Sequence, residues 1–217
     1  MHKGLKIAFV VGCVCFGVGG LLTMGTHIFF DHEDAIEIEN QEYFEYTNKE
    51  AIHTLKINSD VCDIQVLYGD DFIIKTRGLP KMGEESKSFD VSFSQADGTY
   101  TFEEKYKKKN VNFKNKPKIL VQVPAEIKNL DLELNVGDVE VQNLVLKTLH
   151  VRNDVGEIEI DCCEAEEVRC ENDLGDIEYE GDFLKTMNVE ANVGDVEIFL
   201  ARPIEEYSYD IDCKVGK

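Results

Sequence analysis

From residue 127 to residue 200 the apolar side chains fall two apart, not three or four, so this stretch predicts short half-buried β-strands and excludes amphipathic helices. Leu130 and Leu132, Leu149 and Val151, Val168 and Cys170, and Met187 and Val189 are such pairs. Each pair is followed by a turn and a second alternating run: Val136-Gly137-Asp138-Val139-Glu140-Val141, Val155-Gly156-Glu157-Ile158-Glu159-Ile160, Leu174-Gly175-Asp176-Ile177-Glu178-Tyr179 and Val193-Gly194-Asp195-Val196-Glu197-Ile198. The glycines are 19 residues apart each time. Asn135, Asp154, Asp173 and Asn192 precede the turn and suit it. The unit recurs upstream as Asp60-Val61-Cys62-Asp63-Ile64-Gln65-Val66, with Leu55 and Ile57 before it and Cys62 in the glycine slot. It recurs a last time as Lys214-Val215-Gly216-Lys217, after Tyr209 and Ile211.

One coil of this length cannot bury enough apolar surface to offset the entropy of ordering it, so the coils must stack. Stacking at ~4.8 Å lines up equivalent side chains. Leu130, Leu149, Val168 and Met187 are expected to form one inward column, Leu132, Val151, Cys170 and Val189 a second, and Val139, Ile158, Ile177 and Val196 a third. Between residues 67 and 124 the period is lost. Strand-like runs persist at 72–76, 89–93, 99–102 and 119–123, which predicts irregular coils or hairpins over 51–124, joined to regular coils over 125–217 in one domain.

Residues 7–30 contain no Asp, Glu, Lys or Arg. As a helix the segment is ~36 Å long, enough to cross a hydrocarbon core with some tilt. Lys3 and Lys6 precede it and Asp31, Glu33 and Asp34 follow, so the N-terminus is expected in the cytoplasm and the rest of the chain outside. A cleaved signal peptide fits less well, because the apolar run continues past the small residues Thr23, Gly25 and Thr26. Val10-Val11-Gly12-Cys13 is similar to a lipoprotein box, but the same long run follows it. The expected organisation is a cytoplasmic tip and transmembrane anchor over 1–30, an acidic stalk with room for one edge strand over 31–50, and the coiled domain over 51–217.

Charge removes further possibilities. The 217 residues carry 43 acidic and 23 basic side chains, a net charge of −20, the wrong sign for neutralising phosphates. Nucleic acid is therefore not an expected partner. The seven cysteines, at irregular spacing, make neither a disulfide framework nor a zinc site.

The run Ile119-Leu120-Val121-Gln122-Val123-Pro124, followed by Leu130-Asp131-Leu132 and the repeated Gly-Asp/Glu-Val/Ile-Glu-Val/Ile units, resembles the "putative adhesin" family of bacterial cell-envelope proteins, a family without an assigned biochemistry. The resemblance covers roughly residues 51–217. It implies an all-β fold, a single-stranded right-handed β-solenoid, here with 19-residue coils behind one N-terminal transmembrane helix, working outside the cytoplasm in envelope adhesion or stress.

Candidate chemistry is sparse. Asp138, Glu140, Glu157, Glu159, Asp176, Glu178, Asp195 and Glu197 form an outward acidic strip, readable as a solvated face or as ligands for a divalent cation such as calcium. Lys105, Lys107, Lys108, Lys109, Lys114, Lys116 and Lys118 form a basic run that could touch anionic wall polymer or lipid headgroups, or serve as partner to the chain's own acidic strip. His150 is expected between Asp131 and Arg169, and Arg152 between Glu133 and Glu171. A polysaccharide-active enzyme would use these as acid, base and clamp, although alternating charge already explains them as cross-strand pairs. No nucleophile, zinc or phosphate-cradling motif is present. The expectation is a non-enzymatic interaction or scaffold module without a cofactor, held at the cell envelope by a single-pass anchor, with envelope proteins or wall polymers as partners. The alternatives are a polysaccharide-active β-solenoid enzyme and a calcium-responsive surface element.

Overall fold

A computed structural model describes residues 43–45, 52–80, 85–107, 116–207 and 209–216. The apolar segment 7–30, and with it the expected membrane span, lies outside the described residues. Among those described, no helix is long and apolar enough to cross a membrane.

The described residues are mostly strand, in one curled sheet: β1 (Tyr43–Glu45), β2 (Thr54–Ser59), β3 (Asp63–Tyr68), β4 (Ile73–Arg77), β5 (Phe89–Ala96), β6 (Thr99–Tyr106), β7 (Lys118–Val123), β8 (Asn129–Val136), β9 (Val139–Gln142), β10 (Val145–Val155), β11 (Ile158–Leu174), β12 (Ile177–Val193), β13 (Val196–Leu200) and β14 (Tyr209–Cys213). The sequence period is the period of the stack. Leu130, Leu149, Val168, Met187 and Tyr209 are in parallel register, as are Leu132, Val151, Cys170, Val189 and Ile211. On the other flank Val139, Ile158, Ile177 and Val196 form the third column. Inside the stack these residues are at most 3% exposed, from Leu130 to Val189 and from Val139 to Ile177. The turn amides fasten each coil to the next: Gly137, Gly156, Gly175 and Gly194 donate to the carbonyls of Val155, Leu174, Val193 and Val215.

Two features depart from a pair of short strands per coil. β11 and β12 are each 17 residues long and pass through the corner opposite the glycine turn without a break. The corner is absorbed locally, by left-handed backbone at Asn143 (φ 57°) and Cys162 (φ 51°) and a register shift between Ile160 and Cys163. The irregular region is an excursion to the far end of the stack. After β3 the chain lays β6 beside β2 and β7 beside β3, both parallel, as one more coil. β5 and β4 close this end antiparallel to β6 and β7, and β1, from the stalk, adds an edge strand on β4. The chain then returns to the other side of β2, where Leu130 lies in register with Leu55.

Buried polar side chains tie the turns together. Asn153 and Asn172, 1% and 2% exposed on the inward parity of β10 and β11, donate through Nδ2 to the carbonyls of Gly137 and Gly156, each at 2.8 Å. They satisfy turn carbonyls that face the core.

Candidate functional site: an outward carboxylate column

The outward parity of the strands after the glycine turn places Leu120, Gln65, Glu140, Glu159, Glu178 and Glu197 in one column, contributed by β7, β3, β9, β11, β12 and β13. Beside it, two residues along, run Gln142 and Asp161, then Glu180 and Phe199. Six carboxylates thus occupy neighbouring positions on one sheet face. They do not share one environment. Glu140 is only 1% exposed, and both its oxygens are taken by amides: Gln65 Nε2 donates to Oε2 at 3.0 Å and Gln142 Nε2 to Oε1 at 2.5 Å. Burial, then the charge of Glu159, push the Glu140 carboxyl up to about 7, against the opposing bond from Gln65 and the field of Lys118. Burial and the charge of Glu178 raise Glu159, and burial and the charge of Glu197 raise Glu178.

The other half of the predicted strip has a different employment. Asp138 Oδ1 accepts the Glu157 N–H at 3.1 Å, and Asp176 Oδ1 accepts the Asp195 N–H at 2.8 Å, so these aspartates lace one turn to the next. At the start of the series Asp63 Oδ1 accepts the Asp138 N–H at 3.1 Å. Lys116 bridges Asp63 and Asp138 at 2.7 and 2.9 Å. Burial alone would lower its ammonium, but the bonds and charges of the two aspartates outweigh it and the pKa is raised. Within the predicted basic run, Lys105 lies 3.7 Å from Glu103 and Lys107 3.8 Å from Asp90, while Lys118 sits on β7 in register with Asp63. Lys108, Lys109 and Lys114 lie outside the described residues.

On the opposite flank the charged columns hold cross-strand contacts and, within β11, the pair Arg169–Glu171. Asp131 takes Lys56 at 2.8 Å and His150 Nδ1 at 3.0 Å, and Glu171 takes Arg152 at 3.5 Å and also Arg169. Half-exposed pairs of this kind contribute about 0.2–1 kcal/mol each.

At the corner, Asp161, Cys162 and Glu180 bring one donor atom each within 4.8 Å of one another. Three donors fall short of the six to eight oxygens calcium takes. The Cys162 thiol is pushed up to about 11, first by its hydrogen bond with Asp161 and then by burial. Cys62, Cys162, Cys163, Cys170 and Cys213 are all free.

Gln65, Gln142, Asp161 and Glu180 escaped the sequence reading, although each sits on the outward parity of a strand whose motif was recognised. The signal was the alternation carried two residues further along each run.

The Toastrack DUF4097 family model matches residues 52–202. No curated protein matches the chain. Among solved structures, a "putative cell adhesion protein" from Clostridium sporogenes ATCC 15579 is similar at 15% identity and a TM-score of 0.51, over 81% of this chain and 95% of that one. A "putative adhesin" from Bacteroides fragilis NCTC 9343 is similar at 18% identity and a TM-score of 0.42, over 81% of this chain and 94% of that one. At 15% identity the likeness to the Clostridium sporogenes protein is one of fold. The family match spans the stacked coils from β2 to β13, in agreement with the resemblance carried by residues 119–132 and the glycine units, and the chain belongs to the Toastrack DUF4097 family.

Proposed function

We propose that this protein is an adhesin-like interaction or scaffold module of the bacterial cell envelope, a right-handed β-solenoid held outside the cytoplasm by a single-pass anchor over residues 7–30, and that it catalyses no reaction. The observation that carries the reading is the in-register outward column bearing Glu159, Glu178 and Glu197. Side chains on parallel strands keep a fixed spacing, which suits recognition of an extended, repeating partner surface. On the other flank Lys56 pairs with Asp131 and Arg152 with Glu171, which supports a role for those side chains in holding the strands together. The name of the Clostridium sporogenes protein, whose fold is similar, points the same way.

Two measurements test it. Full-length protein is expected to stay with the membrane after alkaline carbonate washing, and its domain to be digested by protease added to intact spheroplasts. Recovery in the soluble fraction, or full protection of the domain, would overturn the anchored, outward reading. Binding of the full chain to isolated envelopes is expected to fall at least several-fold when Glu159, Glu178 and Glu197 are all replaced by Gln. Unchanged binding removes the carboxylate face from the function.

A further inference from the structure

The acidic column is laid out like a titrating device. Parallel register sets Glu140, Glu159, Glu178 and Glu197 on successive rungs, ~4.8 Å apart, where like charges repel strongly enough to shift a neighbour's titration by roughly one pH unit or more. The surroundings add to this repulsion. Glu140 faces Glu159 and Asp161 of β11, with Gln65 of β3 and Gln142 of its own strand as neutral partners and the Lys118 ammonium of β7 as the compensating cation. Glu159 faces Glu178 of β12 together with Glu157 and Asp161 of β11, and Glu178 faces Glu197 of β13 together with Glu180 and Asp161. The most buried member accepts from two neutral amides, whose bonds favour its charged form and are outweighed by its burial and the charge of Glu159.

We propose that Glu140, Glu159 and Glu178 take up protons as one coupled unit in mild acid, so that acidification tightens the coil stack and discharges its outward face. The sign follows from the direction of the shifts. A carboxyl whose folded pKa lies above its unfolded value adds stability that is complete below the unfolded pKa and is lost as pH rises through the folded one. Burial and neighbouring negative charge raise all three, and Glu140 reaches about 7, so the loss falls between mildly acidic and mildly alkaline pH. The consequence for partner capture, weaker binding of a cationic surface in acid, rests on the function proposed above. The titration does not.

The test uses full-length protein in non-ionic detergent with glutamate labelled at the carboxyl carbon. Carbon-13 titration is expected to give Glu140 a midpoint near 7, and Glu159→Gln to lower that midpoint by roughly one unit. Tm is expected to rise from pH 8 to pH 6. Glu140→Gln should remove at least half of that rise, whereas Glu205→Gln, an equal charge change at an exposed position, should preserve it. If Glu140→Gln fails to fold, Glu159→Gln reports the same loss of slope. A Glu140 midpoint in the ordinary carboxylate range, or equal Tm slopes in the Glu140 and Glu205 variants, overturns the proposal. Failed envelope binding with these titration results intact would overturn only the proposed function.

Discussion

Gly156→Ala is expected to abolish cooperative unfolding of the domain or to cost more than about 4 kcal/mol, among the largest effects of any single substitution in the chain. An alanine Cβ at this position would stand 1.9 Å from the carbonyl oxygen of Gly137 and 2.7 Å from its carbonyl carbon, both main-chain atoms of the preceding turn. Neither can rotate away. The backbone also has φ 137°, which L-residues rarely adopt, adding about 1–2 kcal/mol of strain. The clash repeats up the column, since Gly175 meets the carbonyl of Gly156 in the same way at 2.0 Å. Coils in such a stack are coupled to their nearest neighbours, so damage at this turn separates β10 and β11 from the coils below them. Urea unfolding followed by circular dichroism measures the loss. Val155→Ala, at the partly exposed neighbouring residue, provides the comparison and should cost under about 1 kcal/mol. Equal midpoints for the two variants would show that the turns are not in van der Waals contact.

The same column explains which parts of the fold were legible. Consecutive coils record their register as a 19-residue period, so the columns through Leu130, Val151, Ile158 and Val196 could be written down from sequence and are found in the stack. Coils adjacent in space but not in sequence leave no such record. Cys62 and Gly137 are neighbours in the column, yet the chain between them builds β4 to β7 at the far end before it returns. The order of the first coils was therefore hidden, although the strands themselves were visible as alternating runs. Face assignment was legible and burial was not. Glu140 shares its outward parity with Glu178, but only Glu140 has Gln65 and Gln142 folded over it, and those contacts depend on the hidden coil order. The inward asparagines 153 and 172 were within reach of parity alone, because each follows a core residue by two.

Glu104→Ala is expected to destabilise the domain by about 4 kcal/mol, through loss of the cap on the first coil's turn. Glu104 occupies the inward parity of β6 after Tyr100 and Phe102, and is 1% exposed. Its Oε2 collects the Ser59 hydroxyl at 2.8 Å, the Asp60 N–H at 2.9 Å and the Val61 N–H at 3.1 Å, with the Cys62 thiol at 3.5 Å. These donors belong to the lowest turn of the glycine column, where Cys62 replaces glycine and its thiol meets the carboxylate. Burial, then the Glu104 charge, push that thiol well above its ordinary value, which keeps it protonated and able to donate. Truncation to alanine leaves the Ser59 hydroxyl and the Val61 N–H buried without this acceptor, at about 1–3 kcal/mol each, while the Asp60 N–H keeps the main-chain carbonyl of residue 104 at 3.2 Å. Glu104→Gln retains an acceptor oxygen and removes a buried charge, so it should cost no more than about half as much as the alanine variant. The urea midpoints of the two variants decide the matter. A clear gap identifies the acceptor as the working part of the cap, whereas equally mild losses would mean that the Ser59 hydroxyl and the Val61 amide find other partners and that the first turn stands without the Glu104 side chain.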